Sequence, residues 1–444
     1  MAGMHDAGRS RARLITPPFV AVMVAAFAFF TYVGVLVPII PTFVEDEMRG
    51  GELGVGLSIA SFAGAAIVVR PLIGRLIELR GRRAVMIGGS LLAAVVGVLY
   101  GFVDSLPMLL VLRAMSGVGE AALFVGAATL IADLSPDDRR AEAASYFSLA
   151  VYAGIGVGPV LGETIMAHNG LRPTFALAAA FAALAAAASI AVPAWVNPVP
   201  ATSQPVVVPA SGTSPGRAPN TRLLIDLDQS RRHPFVHRDA RGPGSILAIG
   251  MAAFAVFAAF LPDYSRSLGL SGSGGLFAVY SAVCLVLRLI GARIPERLGP
   301  RTSVTVAFSS LGTGLALLAV VPHSWALWAA AALVGVGMAF MYPSLMALTV
   351  TNAPEAERPR AISSFTMFFE IGTAAGGLGL GAIADAFGKR SGFGVAVALC
   401  VLGVCVLRTR VLPTGVHTTR VSARQPPAPV IASPAPALVP VCGD

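Results

Sequence analysis

The sequence predicts an all-α membrane protein, with twelve transmembrane helices arranged as two pseudo-symmetric six-helix bundles. Three observations carry that prediction. Apolar residues come in runs of about 20, the length a helix needs to cross a hydrocarbon core of roughly 30 Å. Charged residues make up 12% of the 444 positions and hydrophobic ones 55%, with a mean hydropathy of +0.76. A soluble domain carries about twice that share of charge, roughly 25%. Finally, the stretch Arg70-Pro71-Leu72-Ile73-Gly74-Arg75-Leu76-Ile77-Glu78-Leu79-Arg80-Gly81-Arg82-Arg83 returns 218 positions later as Arg288 to Arg301. Arg70 falls on Arg288, Glu78 on Glu296, Gly81 on Gly299 and Arg83 on Arg301. The same offset carries Pro136 to Pro354, Arg140 to Arg358, Phe147 to Phe365, Gly154 to Gly372 and Gly158 to Gly376. A long duplication in an apolar chain is a mark of two-half membrane proteins.

Taken in order, the apolar runs place spans at 18–44, 54–77, 84–103, 106–132, 142–167 and 172–195, so residues 1–195 form the first bundle. The first run is too long for a signal-peptide core and is followed by acids, not a small-residue cleavage site, so it is expected to stay as a span. Residues 196–243 hold repeated prolines with Ser and Arg and too little apolar surface for a core, which predicts a flexible cytoplasmic linker. Spans at 244–265, 274–294, 303–322, 325–350, 361–384 and 392–412 make the second bundle, 244–412. Residues 413–444, rich in Pro and Ala, read as a disordered cytoplasmic tail.

Twelve spans put both termini on one side. Of the 32 Lys and Arg residues, 24 fall in the termini, the linker and the loops on that side, five fall on the other, and three lie inside spans. The positive-inside rule therefore places both termini in the cytoplasm, with the chain in the inner (cytoplasmic) membrane. The Glu45-Asp46-Glu47 cluster and Glu52 then face outward.

Other classes fit poorly. All but one of the basic residues are Arg, and they sit between apolar spans instead of on one basic face, which argues against nucleic-acid binding. The four cysteines lack metal or redox spacing and no clustered His, Cys or acidic set suggests a metal or nucleophile. No enzyme activity, cofactor or metal site is expected. The expected partners are a small-molecule substrate, protons and the lipid bilayer, and the protein is expected to act as a monomer.

The duplicated loop has a plain reading, a charged cytoplasmic turn in which Gly breaks the helix. Its pattern Gly74-x-Leu76-x-Glu78-x-x-Gly81-Arg82-Arg83 also resembles the loop signature of the major facilitator superfamily. Glu78 stands where that family usually has Asp, and Leu79 where an Arg is common. The second copy keeps Glu296, Gly299 and Arg301 but has Ala292 in the place of the glycine. The resemblance implies the major facilitator fold, with this loop latching the halves in the outward-facing state. Arg70 and Arg288 lie deeper and are candidates for pairing between helices.

In the fourth span, Leu109-x-x-x-Arg113-x-x-Ser116-Gly117-x-Gly119-Glu120-Ala121 resembles the superfamily's fourth-helix motif, with Ser116 where Gln is frequent. Seven residues at 1.5 Å rise put Arg113 and Glu120 roughly 10 Å apart on one helix face. A charge at that depth costs about 2.5–3.5 kcal/mol on insertion scales, so each is expected to face a cavity or a partner. Both a substrate or proton role and a buried structural pair remain open. In the fifth span, Gly154-x-x-x-Gly158-Pro159-x-x-Gly162-Glu163 resembles the superfamily's antiporter-associated motif, with Glu163 in place of the last glycine. That resemblance implies export. Glu163 itself reads as a hydrated residue at the outer edge, and Asp263 and Asp385 as solvated span ends.

In the second half, Glu370 stands midway along the eleventh span with no compensating charge nearby in sequence. Burial favours the neutral form of a carboxyl group, the property a proton carrier needs. A fixed bridge to Arg288 is the equal alternative. Phe29, Tyr32, Phe257, Phe260, Phe340 and Tyr342 lie on the first, seventh and tenth spans, which line the cavity in the family. Together these readings imply a secondary transporter driven by protons, without any nucleotide-binding loop. Glu120 and Glu370 would exchange protons, while Arg113 and the aromatics would hold a small organic or amphipathic molecule. Import of a sugar or organic acid by symport is the alternative on the same fold, and a non-transporting membrane receptor or enzyme is the remote one, disfavoured because no loop is large enough for a folded sensor domain.

Overall fold

The computed structural model describes residues 14–136, 139–193, 236–290, 294–353 and 358–411. Twelve helices run through them: α1 (Pro17–Asp46), α2 (Gly51–Arg80), α3 (Arg82–Leu99), α4 (Leu106–Leu134), α5 (Arg140–Asn169) and α6 (Leu171–Ala191), then α7 (Arg238–Ser267), α8 (Gly274–Ile290), α9 (Ile294–Val320), α10 (Ser324–Asn352), α11 (Arg358–Phe387) and α12 (Lys389–Val406). Eleven of these segments are long and apolar enough to cross a membrane, and α8 is a shorter apolar helix of 17 residues. The predicted spans sit inside these helices to within a few residues, except at two places. Helix α7 starts at Arg238, several residues before the predicted end of the linker, because His237 caps it and Asp239 suits its first turn. The last span stops as regular α-helix at Val406, and Leu407–Val411 continue as a π turn. Most of the linker and the tail lie outside the described residues.

The duplication is written into the backbone. Three pairs of glycines in the left-handed region repeat at the sequence offset of 218: Gly51 and Gly269, Gly81 and Gly299, Gly170 and Gly388. Each ends one helix or opens the next, where a side chain would be strained. Gly299 breaks α9 at the position where Gly81 separates α2 from α3. Packing repeats too. A Cβ on Gly154 would stand 2.7 Å from the Phe27 carbonyl oxygen, and one on Gly158 2.5 Å from the Gly34 carbonyl carbon, both on α1. A Cβ on Gly372 or Gly376 would stand 2.2 or 2.5 Å from the Ala248 or Ala252 carbonyl on α7. Thus α1 lies on α5 as α7 lies on α11, backbone against backbone, as small residues permit.

The halves meet along two seams, α2 with α11 and α5 with α8. A Cβ on Gly56 would fall 2.0 Å from the Gly377 carbonyl oxygen in the first seam, and one on Gly156 2.5 Å from Ser281 Cβ in the second. Arg70, Glu370 and Arg288 lie along these seams.

Candidate functional site

Going down the first seam from Gly56 and Gly377, the first ionised contact is Arg70 with Glu370. Arg70 Nη2 donates to Glu370 Oε1 at 2.8 Å, bringing together side chains 300 positions apart. Glu370 is 4% exposed, and Glu120, from α4, is 7% exposed. Glu120 is within electrostatic reach of both Glu370 and Arg70, and its Oε2 is buried with no hydrogen-bond partner among the described residues. The Arg70 guanidinium also lies 5.8 Å from the centre of the Phe124 ring. Two carboxyl groups and one guanidinium thus share a nearly dry space between α2, α4 and α11. With both acids ionised the cluster carries one uncompensated negative charge, which the membrane interior disfavours. One proton neutralises it.

Two sequence expectations need correction at this point. The alternative partner for Glu370, Arg288, is not the one it takes. Arg288 instead donates from Nη2 to the Tyr152 hydroxyl at 3.0 Å and lies 4.2 Å from the centre of that ring, across the second seam. Arg113 makes its own contacts on α2 and not with Glu120. Its Nε donates to the Ser58 carbonyl at 3.3 Å and its guanidinium stacks on Phe62 at 4.7 Å, both on α2. Sharing a helix face put Arg113 and Glu120 in line, but packing of α4 against α2 gave the arginine nearer contacts.

A second group of charges ties the halves together where α1 ends. Arg266 on α7 binds Asp46 at 2.6 Å and Glu45 at 3.6 Å. Lys389 on α12 contacts Glu52 at 2.9 Å, Glu45 at 3.7 Å and also Asp263. Asp263, expected to be solvated, is therefore part of an ion network. Glu45, Glu52 and Asp263 converge closely enough to hold a cation; the Lys389 ammonium occupies that role. Glu163, expected to be hydrated, instead crosses the second seam. It accepts from Ser273 N at 2.8 Å, Ser273 Oγ at 2.6 Å and Gly274 N at 2.5 Å. A carboxylate at the first turn of α8 satisfies amides that have no partner within the helix and complements its dipole.

The family model described as Major Facilitator Superfamily matches residues 22–320 and 246–441. The chain belongs to this superfamily. Among its relatives, an uncharacterised MFS-type transporter of Salmonella typhimurium is 24% identical over 394 residues, covering 86% of this chain and 94% of that protein. Multidrug resistance protein 1 of Bacillus subtilis is 33% identical over 164 residues, covering 37% of this chain and 42% of its own. Among solved structures, the nucleoside transporter NupG superposes with a TM-score of 0.66 at 13% identity, covering 88% of this chain and 99% of that one. The human organic anion transporter MFSD10 gives 0.65 at 18% identity, covering 88% and 99%. At those identities the likeness shows the fold. The protein is a facilitator-superfamily transporter of small molecules in a membrane, not an enzyme.

The remaining motif residues of this facilitator find these places. Arg82 pairs with Asp133 at 2.7 Å, and Arg83 Nη2 donates to the Ile190 carbonyl at 2.8 Å, both within the first half. Gly74 has open space around it, Gly81 makes the turn, and Arg301 stands at the matching position after Gly299. The side chains of Glu78 and Glu296 lie outside the described residues. Gly154, Gly158 and Gly162 all face α1, with a Gly162 Cβ falling 2.9 Å from the Val35 carbonyl oxygen, and Pro159 O lines Gly274.

The aromatic candidates are mostly packed inside single bundles. The Tyr32 hydroxyl shares a buried hydrogen bond with Ser116 at 2.8 Å, and Ser116 also meets the Tyr100 hydroxyl at 2.7 Å. The ring of Tyr32 packs edge-on against Phe29. Phe257 is enclosed by Phe254, Phe277 and Tyr280, Phe260 meets Phe393, and Phe340 is 7% exposed. Tyr342 differs: it is half-buried, packs at a tilt against the Phe365 ring and lies within electrostatic reach of both Arg70 and Arg288. Sequence reasoning overlooked Tyr152. The signal was present, since Tyr152 precedes Glu370 by the same 218 positions that separate Arg70 from Arg288.

Proposed function

We propose that this transporter is proton-coupled and exports a small organic or amphipathic molecule by alternating access, with Glu120 as the proton carrier. The observation that carries the reading is the excess of one acid over base in the buried Arg70–Glu370–Glu120 cluster. Glu370 is held by the guanidinium, whereas Glu120 has an oxygen without a partner, so the neutralising proton belongs on Glu120. Because Arg70 and Glu370 come from opposite halves, a change in the charge on Glu120 alters how strongly α2 holds α11. That links protonation to the rocking of the halves.

The charge bias of the loops supports placing the Arg82 end and both termini in the cytoplasm of an inner membrane. The Glu45 end then faces outward. Its Arg266, Lys389 and Glu163 contacts make this state the one closed to the outside and ready to load from the cytoplasm. Export is further supported by the α5 glycine–proline pattern and by similarity to the Bacillus multidrug resistance protein over part of the chain. Uptake of an organic acid together with a proton is a second reading. It is favoured by Arg288, whose charge has no carboxylate partner among the described residues.

The test uses everted membrane vesicles with an acidified interior and a panel of acidic, basic and neutral amphipathic compounds. Accumulation of a compound inside means export. Proton release from the vesicles on adding that compound should be present in the wild type and absent in Glu120→Gln. Unchanged coupling in Glu120→Gln would remove the carrier assigned here, and compound-driven depletion from the vesicles would reverse the direction.

A further inference from the structure

Arg70 and Arg288 are symmetry mates, and each bridges to the other half at the symmetry-related position. Arg70 meets Glu370, while Arg288 meets Tyr152, which holds in the first half the position that Glu370 holds in the second. The duplication therefore conserved the bridge but not the neutralising charge. Arg288 is partly buried, its Nε is buried without a hydrogen-bond partner, and the groups around it, Tyr152, Tyr280 and Cys284, are uncharged phenol and thiol. A guanidinium left so deep in a bundle normally has a counter-charge, because leaving it bare is costly. None of the described residues supplies one.

From this we propose that Arg288 and Tyr152 form the recognition point for an anionic group on the transported molecule, a carboxylate or a comparable monoanion. The planar guanidinium can give a carboxylate two parallel N–H bonds, and the Tyr152 hydroxyl can donate a third while Arg288 stays stacked on its ring. Tyr342, on α10, is within electrostatic reach of both Arg288 and Arg70. Arg113 is the weaker candidate for this role. It is engaged by Ser58 and Phe62, its contacts lying between two helices of the same half and not across a seam. The inference deepens the transporter reading and rests on it, but it requires neither a direction nor a proton carrier.

Arginine modification tests it on the purified full-length protein in detergent. Phenylglyoxal is uncharged and apolar and attacks guanidinium groups that lack a carboxylate partner. Peptide mass spectrometry should find Arg288 modified and Arg70 protected by Glu370. Benzoate at ten times its half-saturating concentration should slow modification of Arg288 about tenfold, whereas the isosteric amide, benzamide, should not. Tyr152→Phe should weaken benzoate affinity roughly fivefold, the worth of one hydrogen bond, so that the same concentration slows modification only about threefold. An Arg288 that resists phenylglyoxal, or protection by benzoate no greater than by benzamide, overturns the proposal. The assay needs no gradient or flux, so it can fail while proton coupling through Glu120 stands, and the reverse also holds.

Discussion

Glu163→Gln is the substitution that most directly tests how the halves are held closed. The wild-type carboxylate accepts three hydrogen bonds across the second seam, two from backbone amides and one from the Ser273 hydroxyl. Glutamine keeps the shape but replaces one acceptor oxygen by a donor that faces amide N–H groups. One or two charge-assisted bonds are lost, each worth about 1.5–3 kcal/mol when dehydrated, together with the favourable interaction at the start of α8. Glu163 is only partly buried, so solvent screening reduces the net effect to about 2 kcal/mol, roughly thirtyfold in the ratio of closed to open. Spin labels at Phe102 and Phe387, exposed positions in opposite halves, would report separation at the Glu45 end as a longer distance. The wild type should show mainly the short distance and Glu163→Gln a large share of the longer one. Glu142→Gln, which breaks a solvent-exposed pair with Arg139 inside the first half, should leave the distances unchanged. Identical distance distributions for Glu163→Gln and wild type would refute the latch.

Other expected outcomes follow from the same contacts. Glu370→Ala removes the hydrogen-bonded partner of Arg70 but leaves Glu120 to balance its charge, so it should destabilise the protein by about 1–3 kcal/mol, read as a fall in Tm in detergent, and adding Glu120→Gln, which strands the guanidinium, should bring the loss to about 3–5 kcal/mol. Gly158→Ala puts a methyl group 2.5 Å from α1 backbone and should destabilise by about 1–3 kcal/mol, whereas Gly394→Ala, with open space around it, should be neutral or stabilising. Ser116→Ala strands two buried tyrosine hydroxyls and should lower stability by about 1–3 kcal/mol, measured by thermal unfolding, with Tyr32→Phe in the same background recovering part of it.

How far the site was legible in the sequence differs residue by residue. Glu120, Glu370, Arg70 and Arg288 announce themselves, because any ionised group in a 20-residue apolar run is conspicuous. Their pairing does not. Arg113 seemed tied to Glu120 by helical spacing, yet its contacts are with Ser58 and Phe62 on the neighbouring helix. Glu163 and Asp263 looked like hydrated span ends because hydropathy cannot distinguish water from an opposing half. The aromatic side chains Tyr32, Phe257 and Phe260 fit a cavity lining by helix number alone, but each is enclosed within its own bundle.

By itself, the amino-acid order determined the spans, the twofold repeat and the turns between helices. Bilayer thickness, backbone hydrogen bonding and the conformational needs of Gly81, Gly170 and their mates act locally along the chain, so each leaves a local record. Only the tertiary structure decided which charges meet. Arg70 and Glu370 are 300 positions apart, and Arg288 and Tyr152 are 136 apart. Nothing along either stretch encodes the approach of α2 to α11 or of α5 to α8. Those approaches come from small residues allowing one backbone to lie against another, and the close packing then chooses a partner for every buried charge.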